Sequence, residues 1–247
     1  MVVRAALSGL GWNEYRSFHA YERYLTKCLR ENPRDRRLAF ARAVGAETME
    51  SYIVQGDGHV AVLRYHGLQD GMSLFDLGCG CGRTAEALMR SGWVGQYVGV
   101  DVTERFVAQL RSQCPGYRAF RHRSTNIPMP DDSLDLLFHW SVFTHLSLEE
   151  CFLYLRDSFR ALKPGAKTVF SFLELTDPGH RRVHLKRIDL VARGRKLGLL
   201  DTFLHRDWLR YWAAEIGFEE PQFTDGTDSS NHPAFWQSVV SMTKPAI

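Results

Sequence analysis

No apolar run in this 247-residue chain approaches 18 residues, so no helix able to span a bilayer is expected. Met1 to Trp12 also lacks the long apolar core of a signal peptide, and the expected setting is cytoplasmic. Excess charge is scarce as well. Lys+Arg number 31 against 28 Asp+Glu, and a net charge of +3 does not imply a nucleic acid or a membrane as partner. The five cysteines (Cys28, Cys79, Cys81, Cys114, Cys151) make no even-numbered scaffold, which points to reduced thiols. Cys79 and Cys81 have neither a second pair nor a nearby histidine, so no metal site is expected. What remains, 24% charged and 45% hydrophobic residues, describes an ordinary globule of one domain over residues 1–247.

The informative stretch runs from Ser73 to Leu88, S-L-F-D-L-G-C-G-C-G-R-T-A-E-A-L. A short apolar strand, Met72 to Leu77, enters a loop holding Gly78, Gly80 and Gly82, and a helical pattern follows. Strand, glycine loop and helix N-terminus bring backbone amides against a ligand. A second strand, Tyr97 to Val100, ends in Asp101, 23 residues after Gly78. An acid at that strand tip accepts hydrogen bonds from both hydroxyls of a ribose. The pocket expected is therefore one for an adenosine-type ligand. Arg83 stands where a dinucleotide fingerprint carries its third glycine, and Asp76 precedes the loop.

These residues resemble motif I of the class I S-adenosylmethionine-dependent methyltransferases, and Y-V-G-V-D-V-T resembles their ribose-binding segment. S-V-F-T-H-L (Ser141 to Leu146) is similar to a motif IV variant of small-molecule methyltransferases, and L-R-D-S-F-R-A-L-K-P-G-A to the segment after it. The resemblance covers Ser73 to Leu173. It implies an α/β fold with a Rossmann-like, seven-stranded, mostly parallel sheet and helices on both faces. N-terminal helices (1–70) and an insertion after strand five (175–204) would cap a cofactor core (71–174), with 205–247 returning to the sheet. It implies S-adenosyl-L-methionine as cofactor, held by Asp76, Gly78, Cys79, Gly80, Asp101, Val102, Phe106, Ser124, Thr125, Asn126 and Trp140. One departure is visible. Arg123 or Ser124 falls where the family carries an acid for the adenine amino group, and an arginine cannot accept that hydrogen bond.

Along the chain, Trp12 to Val44 reads as helix broken at Asn32-Pro33, its aromatic face being either core or a lid over the substrate mouth. Gln55-Gly56-Asp57-Gly58 reads as a turn, with Asp57 capping a helix His59 to Tyr65. Further helices are expected at Glu104 to Gln113, Leu148 to Leu162 and His205 to Ile216, and strands at Tyr117 to His122, Asp135 to Trp140, Lys167 to Leu173, Phe218 to Phe223 and Phe235 to Met242. From His180 to Lys196 the chain carries seven Lys/Arg and one acid, a net charge of +6 that leaves the rest near −3. This basic helix is either a solvated face or one wall of a pocket for an anionic acceptor.

Methyl transfer from a sulfonium requires alignment of the acceptor, exclusion of water and, for many acceptors, loss of a proton. His145, beside the fourth-strand tip, is the candidate base; the alternative is a histidine that fixes the turn. Tyr52, Phe143, His180, His184 and His205 are candidates for the acceptor side. The leading expectation is methylation of a small molecule at oxygen, nitrogen or carbon, in a secondary-metabolic setting, without nucleic-acid or membrane partners. The alternatives are an RNA or protein methyltransferase, disfavoured by the absence of an N-P-P-Y-like motif, and a nucleotide-binding oxidoreductase.

Overall fold

The computed structural model describes residues 12–195, 197 and 200–246, with side chains from His19 onward. The expectation that residues 1–12 form no signal peptide falls mostly, and the charge at Lys196 wholly, outside the described residues. The chain opens with α1 (Trp12–Glu31), α2 (Arg36–Ala43) and α3 (Met49–Tyr65). Asp35 caps α2 by accepting from the Leu38 amide, which explains why the break at Asn32-Pro33 is short. Beyond these helices come β1 (Ser73–Leu77), α4 (Arg83–Arg90), β2 (Gln96–Asp101), α5 (Glu104–Gln113), β3 (Arg118–Arg121), β4 (Leu134–His139), α6 (Leu148–Ala161) and β5 (Leu162–Glu174). The last third holds α7 (Pro178–Ala192), β6 (Phe203–Leu204), α8 (Arg206–Ile216), β7 (Gln222–Thr224) and β8 (Ser238–Thr243).

The strands lie in the order β3-β2-β1-β4-β5-β8-β7, and β6 pairs with the far end of β5. The pairings from β3 to β5 are parallel, whereas β8 runs antiparallel to β5 and β7 antiparallel to β8. The antiparallel edge is the expected one. The eighth strand is the two-residue β6, a piece of the segment that returns from α7. Side chains alternate across the sheet as a period of two requires. Leu74, Leu136, Phe138 and Val169 pack with residues of α3, α4 and α5. Phe75, Leu137, Phe170 and Phe172 pack on the other face with residues of α6 and α8. A third cluster, around Leu25, Phe40 and Phe106, seats α1 and α2 over the start of α5.

One local expectation is overturned. Gly56 and Gly58 form no turn, because α3 runs unbroken from a Thr48 capping box through both of them. A Cβ on Gly56 would stand 2.8 Å from the Arg83 carbonyl oxygen, and one on Gly58 would stand 2.0 Å from the Phe235 ring. The glycines are there for close packing, and Asp57, rather than capping, pairs with Arg90 at 2.7 Å. Two strands are also shorter at their starts than the sequence suggests. Phe218 packs edge-on against Phe159 instead of entering β7. β8 begins only at Ser238 because Trp236 takes a positive φ of 68°.

Candidate active site

β1, β2 and β4 end side by side, and their C-terminal tips open into a cavity of about 450 Å³. This is where ligands bind in an open parallel sheet, at the place where the strand order reverses. Gly78 and Gly80 both take positive φ (71° and 53°), which lets the loop turn beneath the cavity. A Cβ on Gly78 would meet Val142 at 2.4 Å, so the loop is held against the tip of β4 with no room for a side chain.

Asp101 forms the next part of the wall. Its carboxylate accepts from the Gly80 amide at 3.1 Å and from the Thr103 amide at 2.8 Å. Burial outweighs these bonds and pushes its pKa up to about 6. Asp76 lies deeper, accepts from the Tyr97 hydroxyl at 2.7 Å, and is pushed by burial to about 7. Phe106 and Val102 supply an apolar surface beside Asp101.

Between the loop and α3 stand Arg83 and His59. Arg83 donates to the Val44 carbonyl at 3.2 Å and to Gln55, yet its buried Nε has no partner among the described residues. His59 is buried, and its Nδ1 lies 2.9 Å from the Thr84 hydroxyl. Its Nε2 likewise has no partner among the described residues, and burial first, then Arg83, holds its pKa well below the ordinary value.

The opposite wall comes from α1, the tip of β4, α7 and the loop before β8. Tyr21 stacks edge-on against His145 with ring centroids 5.5 Å apart. His145 Nδ1 lies 2.7 Å from the Leu200 carbonyl oxygen, so that nitrogen carries the proton. Burial lowers the His145 pKa against the raising effects of that bond and of Asp201. Asp201 pairs with Arg187 of α7 at 2.6 Å. Val183, Trp236 and Gln237 also line the cavity, and Trp140 packs on His59 with ring centroids 4.6 Å apart.

Of the residues singled out from the sequence, Asp76, Gly78, Cys79, Gly80, Asp101, Val102, Phe106, Trp140 and His145 line the cavity. The remaining ones stand outside its lining. Ser124 and Asn126 are exposed and Thr125 is half-buried. Tyr52 directs its hydroxyl to Cys81 Sγ (3.6 Å) and Glu86 (3.2 Å), and Phe143 is a core side chain. His180 is fully buried, His184 packs on Phe203, and His205 caps α8. Sequence reasoning missed His59, Arg83, Asp201 and Trp236 as lining residues. Only Arg83 carried a local signal, as the residue directly after the glycine loop. The other three reach the cavity from segments distant in sequence. Asp131 and Asp132 do not line it; they pair with Arg160 and Lys244. No cluster of three or more metal-binding side chains occurs among the described residues.

Residues 74–165 match a family model described as a methyltransferase domain. A probable S-adenosylmethionine-dependent methyltransferase of Mycolicibacterium smegmatis is 28% identical over 95 residues. The match spans 38% of this chain and 35% of that protein, about a third of the relative's length. A Thermotoga maritima S-adenosylmethionine-dependent methyltransferase, described as a possible histamine N-methyltransferase, superposes with a TM-score of 0.61 at 17% identity, over 92% of this chain and 99% of that one. The magnesium protoporphyrin IX methyltransferase of Synechocystis, solved with S-adenosylhomocysteine, gives 0.57 at 16% identity, over 79% and 87%. The strand order and the glycine loop paired with Asp101 define a nucleoside-binding α/β protein of the methyltransferase type. Over residues 74–165 the chain is similar to S-adenosylmethionine-dependent methyltransferases, and S-adenosylmethionine is the cofactor that this similarity indicates.

The residues present suit that cofactor. Asp101 offers a desolvated carboxylate to a ribose diol, and the unpartnered Arg83 Nε is a donor for an amino-acid carboxylate. Asp76 offers a carboxylate for the cofactor's ammonium.

No helix among the described residues is long and apolar enough to cross a membrane.

Proposed function

We propose that this protein transfers the methyl group of S-adenosylmethionine to a small-molecule acceptor. The observation that carries the reading is one cavity lined both by the glycine loop, Asp101, Asp76 and Arg83 and by the aromatic side chains Tyr21, Trp140, His145 and Trp236. The cofactor supplies an electrophilic methyl on a sulfonium. The chain's own work is to hold ribose on Asp101, to take the methionine end on Asp76 and Arg83, and to keep water from the acceptor. Ser124, Thr125 and Asn126 are proposed to approach the adenine only through backbone groups, since their side chains lie off the wall.

His145 is the proposed base. With Nδ1–H donated to Leu200, its second nitrogen is the proton acceptor of the neutral ring. Its lowered pKa keeps the ring neutral near pH 7. The cavity's enclosure by α1 and α7 residues favours a small acceptor over RNA or protein. An anionic acceptor finds little support in the lining. Arg181, Arg182 and Lys186 are exposed, and Arg187, which turns toward the cavity side, is paired with Asp201.

The test has two parts. S-adenosylhomocysteine should bind in calorimetry while NAD does not. His145→Gln should lower kcat by about 10²–10⁴-fold with cofactor affinity unchanged if a proton is removed. Failure to bind S-adenosylhomocysteine would end the methyltransferase reading.

A further inference from the structure

Trp236 is an unusual residue for its backbone. Its φ is 68°, in the left-handed region where glycine or asparagine is at ease and a bulky side chain is strained. Three anchors hold it there. Its amide donates to the Gly226 carbonyl at 2.8 Å, and a Cβ on Gly226 would collide with the Trp236 oxygen at 2.0 Å. Its carbonyl oxygen sits 2.5 Å from His180 Nε2. His180 Nδ1 accepts from the Glu174 amide at 2.9 Å, so Nε2 is the protonated nitrogen and donates to Trp236. The His180 ring also meets the indole edge-on, with centroids 4.6 Å apart. A fully buried histidine and a glycine-tight contact therefore serve one strained residue.

The indole these anchors hold is not core. It is 45% exposed and lines the cavity, as Val183 and Gln237 do. Packing alone gives little reason for a half-exposed tryptophan on a strained backbone, whereas a ligand face does.

Resting on the methyltransferase reading above, we propose that Trp236 is the platform for the acceptor, and that the acceptor is a neutral, planar aromatic or heteroaromatic molecule stacked on it. The rest of the cavity lining agrees. Tyr21, Trp140 and His145, which line the same cavity, are flat side chains, and Asp201 is neutralised by Arg187. A planar acceptor also fits the proposed base, since aromatic hydroxyl and ring N–H groups lose a proton to imidazole more readily than aliphatic ones.

The test compares 2-naphthol with its saturated, non-planar counterpart decahydro-2-naphthol, binding to the full chain with and without S-adenosylhomocysteine. Wild type should bind the flat probe at least about tenfold more tightly. Trp236→Gly should abolish that preference while S-adenosylhomocysteine affinity stays within about twofold, and Trp236→Phe should keep part of it. The Gly variant should melt no lower than wild type, because strain relief offsets lost contacts; Trp236→Asn serves if it does not fold. Equal binding of the two probes, no binding of either, or a preference that survives in the Gly variant would each overturn the proposal. A clear fall in melting temperature for both the Gly and the Asn variants would assign the indole to stability and overturn it too. Failure to bind S-adenosylhomocysteine would instead strike the proposed function, and the cofactor-free arm would still decide this inference.

Discussion

At the scale of single residues, two carboxylates, the buried Asp76 and the half-buried Asp101, decide most. Asp101→Ala removes a charge-assisted acceptor and should weaken S-adenosylhomocysteine binding by about 1–3 kcal/mol in calorimetry. Unchanged affinity would exclude it as the ribose acid. The same burial sets a pH dependence. The folded-state pKa values, about 6 for Asp101 and about 7 for Asp76, lie above the unfolded value of about 4. Their contribution to the ligand-free chain is therefore fully present below about pH 4 and is lost as pH rises through 6 and 7. The ligand-free melting temperature should carry that downward trend between pH 5 and 8, and Asp101→Asn and Asp76→Asn should flatten it. Cofactor binding should show the opposite trend. A ribose diol and an ammonium favour the ionised carboxylates, so S-adenosylhomocysteine should bind more tightly as pH rises over that range. Calorimetry in two buffers of different ionisation enthalpy should reveal the accompanying proton release.

At the scale of elements, α3 and α7 show how far spacing alone reaches. Gly56 sits mid-helix where alanine would gain about 1 kcal/mol in helix propensity. Its Cβ would press on the Arg83 carbonyl at 2.8 Å, and overpacking costs about 1–3 kcal/mol. The clash offsets the gain, and Gly56→Ala should destabilise the chain by up to about 2 kcal/mol in urea unfolding, with S-adenosylhomocysteine affinity reduced through Arg83. On α7 the expectation runs the other way. Arg181, Arg182 and Lys186 are exposed, so their glutamine variants should stay within about 0.5 kcal/mol of wild type and keep the acceptor KM. Arg187→Gln leaves Asp201 without its 2.6 Å partner at the cavity wall and should raise KM. A rise for all four alike would restore the basic helix as an attractor of anions.

At the scale of the whole molecule, the cavity is assembled from both ends of the chain, so filling it should stabilise the fold as a unit. S-adenosylhomocysteine at 100 times its Kd adds about 2.7 kcal/mol. For a chain of this size that is about 5–11 °C in melting temperature, and the shift should vanish with NAD. The sequence by itself determined the βαβ core, because hydrophobic alternation, the glycine loop and Asp101 are local patterns with a local physical cause. It also determined the antiparallel edge and the basic helix. Which histidines face the cavity was decided only by tertiary structure. His59 and His145 reach it, whereas His180 is spent on the Trp236 carbonyl, and one-dimensional spacing does not separate these fates. The same holds for Gly56 and Gly58, which read as a turn until the helix that packs on them is in place. Trp236 owes its position to Gly226, His180 and Gly179, and the Cβ of Gly179 would lie 3.0 Å from the indole nitrogen. A left-handed backbone at a tryptophan has no signature in the residue itself, since the groups that enforce it come from α7 and from the start of the β7–β8 loop.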